Sequence, residues 1–329
     1  MFKSIPVLRT DEIINKAFSR TSKIVLKQKG SKSALFKKRE TEMVSRAAEI
    51  IIASLQKILD RYPKFDELDS FTFEMIEIVA DVDELWNELS VIKQTINSII
   101  KVKKNSLKKM EKTKDREKII AIRKDAYGKY ASLLRNLDEV SGNLNDKREK
   151  MKEIPPISSD DYTVVIAGYP NVGKSTLLTK LTISRPKIAA YPFTTTGINI
   201  GSFTYKYQNI KVIDTPGVLD RPVSERNEIE KKAISAIAHL ANILIFVIDA
   251  SVSRKYSVEE QMSLYNEIRE LFPMPTILVQ NKMDVSDEGT DADVRVSAMD
   301  GDGMEDLKLL LEEMISNDPE FKKFKALDV

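Results

Sequence analysis

The sequence contains no cysteine and a single histidine, His239. The first absence excludes disulfide scaffolds, zinc–thiolate sites, iron–sulfur clusters and thiol catalysis. The second excludes a multi-histidine metal centre and makes a Ser/His/Asp hydrolase a poor fit. No apolar run approaches the roughly 18 residues of a membrane span. The opening MFKSIPVLRTDEIINKAF has neither the apolar stretch nor the small-residue cleavage site of a signal peptide. The expectation is a soluble, cytoplasmic monomer with no membrane partner. Glycine and proline are scarce over residues 1–153, which hold only Gly30, Gly128, Gly142, Pro6 and Pro63. Pro155-Pro156 then interrupts the chain, because proline cannot continue a helix. Most of the remaining glycines and prolines follow.

The charge changes at the same place. Residues 1–153 carry 33 Lys/Arg against 24 Asp/Glu, a net of +9; residues 154–329 carry 19 against 26, a net of −7. Halves of opposite sign suggest two domains with different partners. The expected organisation is a basic helical domain over 1–153, a linker over 154–160, a nucleotide-binding domain over 161–317 and a short tail over 318–329.

Within the first half, Val82, Leu85, Leu89, Ile92, Ile96 and Ile99 advance by three or four residues, which keeps one apolar stripe on a helix. Ile122, Ala126, Tyr130, Leu133, Leu137, Val140 and Leu144 predict a second long helix, and Met43 to Leu59 a third. Long helices with short joins predict a bundle. Trp86, beside its helix's stripe, is expected in the core. Basic residues concentrate in 1–39 (11 basic, 2 acidic) and 101–124 (11 basic, 3 acidic). Residues 21–39 are the preferred site of phosphate contact with RNA, ahead of 101–124; a solvated face is the plain alternative.

The second half alternates strand and helix. Short apolar runs at Tyr162–Ala167, Ile210–Ile213, Ile243–Ile248, Thr276–Val279 and Val294–Val296 predict buried strands of a doubly wound, mostly parallel sheet. Gly168-Tyr169-Pro170-Asn171-Val172-Gly173-Lys174-Ser175 follows the first strand and opens a helix. It fits the phosphate-cradling loop G-x-x-x-x-G-K-[ST]. Backbone N–H groups and a helix N-terminus face phosphates there, Lys174 reaches the β- and γ-phosphates, and Ser175 ligates Mg2+. Asn171, Val172, Gly173, Lys174, Ser175 and Thr176 are the expected phosphate-side contacts. Asp214 at the next strand end is expected to hold Mg2+ through water, and the N–H of Gly217 to sense the γ-phosphate.

Asn281-Lys282-Met283-Asp284 ends another strand, and Ser297-Ala298 the next. An aspartate there accepts two hydrogen bonds from guanine N1–H and N2–H2, a pair adenine lacks, so the expected ligands are GTP and GDP. A threonine among Thr194, Thr195 and Thr196 is expected to reach Mg2+ when the γ-phosphate is present; spacing alone does not choose among them. Val218 stands where many hydrolytic GTPases carry a water-orienting glutamine. His239 lies in a helix rich in alanine and isoleucine and reads as structural.

GYPNVGKS, YPFTTT, DTPGVLDRP and ERNEIEKKAISAIAHLANILIFVID together resemble the nucleolar GTP-binding protein 1 family, within the Obg-related GTPases. The basic helical half preceding the nucleotide-binding half fits the same family, and the short C-terminus resembles an archaeal-type member. The resemblance implies an N-terminal helical bundle followed by a P-loop GTPase domain, with slow intrinsic hydrolysis. It implies a role in assembling the large ribosomal subunit, with the precursor particle and its rRNA as partners; the alternative is a GTPase switch whose helical domain binds a protein or membrane partner. It also implies Lys174, Thr195 and Gly217 as catalytic groups, Thr195 as the switch threonine, Asn281 and Asp284 as guanine readers, and a K+ ion near Asn171.

Overall fold

A computed structural model describes Phe2 and residues 5–25, 31–183, 185–191, 197–271, 274–286 and 289–324. The chain divides into two compact units, residues 1–67 with 80–152, and residues 68–79 with 153–329.

The first unit is helical: α1 (Thr10–Ser22), α2 (Lys32–Leu59), α4 (Val82–Glu111), α5 (Arg116–Arg135) and α6 (Asp138–Met151), with α3 (Ser70–Ala80) between α2 and α4 in sequence. α2 packs on α1, α4 and α5, and α4 also on α5 and α6. The α4 stripe is buried at Leu85, Leu89, Ile92, Ile96 and Ile99. Asp81, Ser31 and Asp115 cap α4, α2 and α5 by accepting backbone N–H groups, which satisfies donors a helix start leaves open.

Two expectations change here, and the geometry of a third segment is added. The helix predicted through Ile122–Leu144 is two helices: the N–H of Leu137 turns back to the carbonyl of Leu134, and α6 begins beyond it. Leu137 remains buried, so the apolar spacing runs on across the break. Trp86 is 55% exposed instead of in the core; Lys93 lies over its ring and Phe65 meets it edge-on. In the 21–39 stretch, Lys37 donates to the carbonyls of Glu111 and Thr113, and Arg39 to those of Ile24 and Ser22. Residues 26–30 lie outside the described residues.

The second unit holds a seven-stranded sheet among the described residues. Its strands are β1 (Thr163–Ala167), β2 (Lys187–Ala189), β3 (Ile198–Tyr205), β4 (Gln208–Asp214), β5 (Ile243–Asp249), β6 (Thr276–Asn281) and β7 (Val294–Arg295). The order is β2-β3-β4-β1-β5-β6-β7. Strands β4, β1, β5, β6 and β7 run parallel; β3 and β2 add antiparallel pairs at one edge. Helices α7 (Lys174–Leu181), α8 (Glu228–Leu240), α9 (Val258–Leu271), α10 (Met304–Asn317) and α11 (Pro319–Phe324) complete the unit. β5 is buried along its whole length, as a central parallel strand must be. Neighbours β4 and β5 on the two sides of β1 make its C-terminal end the switch point where ligands bind such sheets.

The sequence reading of the boundaries also changes. Residues 68–79 belong with the nucleotide-binding unit and not with the helical one. Phe71, Met75 and Ile76 of α3 are buried, and Asp69 accepts from the backbone and hydroxyl of Ser159. Residues 154–160 are therefore no free linker, since Ile154 and Ile157 are buried as well. Nor is the start of the 318–329 segment loose. Phe321 packs edge-on to Tyr162, whose hydroxyl donates to Asp318.

Candidate nucleotide-binding site

The loop between β1 and α7 is shaped by glycine. Gly168 has φ +133°, and a Cβ there would stand 2.3 Å from the carbonyl oxygen of Val247. Gly173 has φ +99°, and its Cβ would fall 2.1 Å from Nδ2 of Asn281. Only glycine meets both demands. Asn171 is exposed and left-handed at φ 70°, a conformation asparagine tolerates better than most residues.

Lys174, at the start of α7, is 7% exposed and donates to the carbonyls of Gly168 and Tyr169 at 2.7 and 2.8 Å. Burial pulls its ammonium below the ordinary lysine range, while Asp214 and Asp220 push it back up. Asp214 ends β4 fully buried. Its Oδ2 accepts from Ser175 Oγ at 2.5 Å and from Asn199 Nδ2 at 3.0 Å. Its Oδ1 is buried with no hydrogen-bond partner. A buried carboxylate oxygen without a donor is costly. Set beside a serine hydroxyl at a phosphate loop, it suits a hydrated Mg2+, which takes few protein ligands and keeps waters and phosphate oxygens. Asn199 was not legible as a site residue, because its strand carries no motif.

The base side is braced from the same loop. Asn281, ending β6, donates to the carbonyl of Val172 at 2.8 Å and accepts from the N–H of Ala298 at 2.9 Å. It thus ties the phosphate loop to the Ser297-Ala298 segment. Ser297 Oγ in turn donates to Asp300. Lys282 donates to Asp249 Oδ2 at 2.6 Å, and the N–H of Ser251 to the other oxygen. Burial raises the Asp249 carboxyl, but these donors outweigh it and hold it below the usual range. Asp284 is exposed, and no described residue partners its carboxylate. Asp249 was not anticipated; its signal was a lone aspartate at a strand end.

Beyond Asp214, Val218 is buried and offers no polar side-chain atom. The Gly217 N–H donates to Asp220 Oδ2 at 2.8 Å. Arg226 is buried behind this loop. His239, on α8, pairs with Glu74 at 2.8 Å. Tyr191 is buried and donates to the carbonyl of Ala233 in α8. Thr195 lies outside the described residues.

A phosphate loop at the switch point, a Ser–Asp pair beneath it and an NKxD strand end braced against it define a P-loop GTPase domain. Residues 163–282 match the family described as 50S ribosome-binding GTPase, and residues 2–158 match the NOG1 N-terminal helical domain. The chain is 38% identical to an uncharacterised protein of Methanocaldococcus jannaschii, over 87% of this chain and 82% of that protein. It is 33% identical to nucleolar GTP-binding protein 1 of Encephalitozoon cuniculi, over 74% of this chain and 46% of the relative. For the Arabidopsis thaliana protein of that name the figures are 32%, 71% and 35%. The chain belongs to the nucleolar GTP-binding protein 1 family, and it spans less than half the length of these two eukaryotic relatives.

Proposed function

We propose that this protein is a GTP-hydrolysing switch in assembly of the large ribosomal subunit, docking on rRNA through its helical unit. The observation that carries the nucleotide half is the Lys174–Ser175–Asp214 cluster with its unpartnered Oδ1. Lys174, Ser175 and the backbone of 171–176 hold the phosphates. Asp284 reads guanine, and Asn281 fixes the loops that carry it. Ser175, Thr195 and Asp214 would hold a Mg2+ ion, which would supply charge neutralisation at the phosphates. Water attacks the γ-phosphorus in line; the bond to the β-phosphate oxygen breaks, and GDP and phosphate leave. With valine at 218, no side chain of that position orients the water, so intrinsic turnover is slow. Asn171 would help hold a K+ ion, which would supply additional positive charge. Hydrolysis assays in K+ and in Na+ test this: faster turnover in K+ supports it, and equal rates contradict it.

Support for RNA docking comes from the helical unit's surface. Between α4 and α5 lies a concavity of about 360 Å³ lined by Lys108, Lys109, Lys112 and Lys129, with one carboxylate, Asp125. Lys37 and Arg39 of the alternative patch are already committed to carbonyls. The 101–124 patch is therefore favoured over 21–39. The protein acts as a monomer in the cytoplasm. Among the described residues no helix is long and apolar enough to cross a membrane. Filter binding of large-subunit rRNA by the intact protein tests the docking: steep loss of affinity with salt supports it, and a flat response contradicts it.

A further inference from the structure

Asp220 and Arg226 occupy the segment after the γ-phosphate sensor, within the DTPGVLDRP and ERNEIEKK stretches, and have no role assigned above. The Gly217 N–H, the group that senses a γ-phosphate in this class of site, donates to Asp220 Oδ2 at 2.8 Å. A carboxylate oxygen and a phosphate oxygen are the same kind of acceptor, both anionic. One N–H does not serve both at full strength. The Asp220 charge also acts on Lys174, the other γ-phosphate ligand.

Arg226 holds the segment from behind. Its side chain is 1% exposed. Nη1 donates to the carbonyl of Gly217 at 3.2 Å and Nη2 to that of Arg221 at 3.0 Å. Nη2 also stands 3.5 Å from Asp220 Oδ1, and the buried Nε has no hydrogen-bond partner. Nε and Nη2 form the edge of a guanidinium that a carboxylate takes in bidentate fashion. Here that edge is only half used.

We propose that Asp220 is an internal competitor for the γ-phosphate at Gly217, and that Arg226 is the positioning residue that receives it when the γ-phosphate takes the N–H. In the resting arrangement Asp220 bridges Gly217 and the guanidinium. An arriving γ-phosphate repels the carboxylate and takes the Gly217 N–H. Asp220 then closes onto Nε and Nη2, completing the bidentate pair and removing an unmet buried donor. GDP carries no γ-phosphate and leaves the bridge intact. The pair therefore sets how strongly the protein distinguishes GTP from GDP.

The test is equilibrium binding of fluorescent GDP and of a non-hydrolysable GTP analogue, in Mg2+, to the full chain. Asp220→Ala is expected to raise the preference for the analogue over GDP about tenfold, the order of one charge-assisted hydrogen bond. Asp220→Asn, which keeps the side-chain volume, moves the ratio the same way by less. Arg226→Lys keeps the charge but loses the fork; it is expected to lower the analogue preference several-fold with GDP affinity unchanged. That loss disappears in the Asp220→Ala background. An unchanged or lowered ratio in both Asp220 variants overturns the competitor role. Equal weakening of GDP and analogue by Arg226→Lys reduces Arg226 to a structural part and overturns the receiving role.

Discussion

Asp249 shows how a residue without a motif supports one with it. Its carboxylate is buried and joins Lys282 of the NKxD loop to the start of the β5–α9 connection. Asp249→Asn removes a charge-assisted bond and is expected to cost about 1.5–3 kcal/mol at pH 7 in denaturant unfolding. The pH dependence has a definite sign. The folded carboxyl lies below its ordinary value of 3.8. Its contribution is therefore present above about pH 4 and is lost as the pH falls through the folded value. The gap between wild type and Asp249→Asn should narrow below pH 4; a gap that persists there would contradict the assignment. Lys174, Ser175, Asp214, Asn281 and Asp284 were legible because each sits in a motif whose spacing has a mechanism. Asn199 and Asp249 were not, because what defines them is contact between strand ends distant in sequence; Asp220 and Arg226 lie in quoted stretches, but the local fold of the segment defines their pairing.

At the scale of elements, apolar periodicity read the central strands and the α4 stripe well. It missed β2 and β3, which lie at a sheet edge and mix polar with apolar residues. The turn joining β3 to β4 was also silent. Lys206 and Tyr207 both have positive φ, 46° and 68°, the requirement of a type I′ hairpin that Asn-Gly normally meets. Tyr207 is fully exposed. Tyr207→Gly is therefore expected to stabilise the domain by about 0.5–1 kcal/mol, read as a raised unfolding midpoint. Destabilisation would show that the tyrosine ring makes a contribution its exposure does not indicate. α3 is the other lesson. Its apolar face reads like any bundle helix, and nothing in the spacing says which core it joins; the Asp69–Ser159 bonds do.

For the whole molecule, the two halves carry opposite net charge, +9 over residues 1–153 and −7 over 154–329. The acidic half buries one lysine, Lys174, at its phosphate-loop motif. The basic half spreads lysines over helix faces, and the α4–α5 concavity gathers four of them. Replacing Lys108, Lys109 and Lys112 together by alanine is expected to weaken rRNA binding and to flatten its logarithmic salt dependence by about 2–3 units. An unchanged slope would move the contact elsewhere. Composition shifts near residue 154, and the motifs point to a guanine nucleotide. The ribosomal particle enters only as what the resemblance implies, because phosphate contacts carry no sequence signature of their own.

A switch of this kind ties attachment to the large ribosomal subunit to nucleotide state. Co-sedimentation of the protein with purified large subunits at physiological salt, with a non-hydrolysable GTP analogue against GDP, tests this. Retention with the analogue and release with GDP is the expected result. Equal retention with both nucleotides, or none with either, would contradict it.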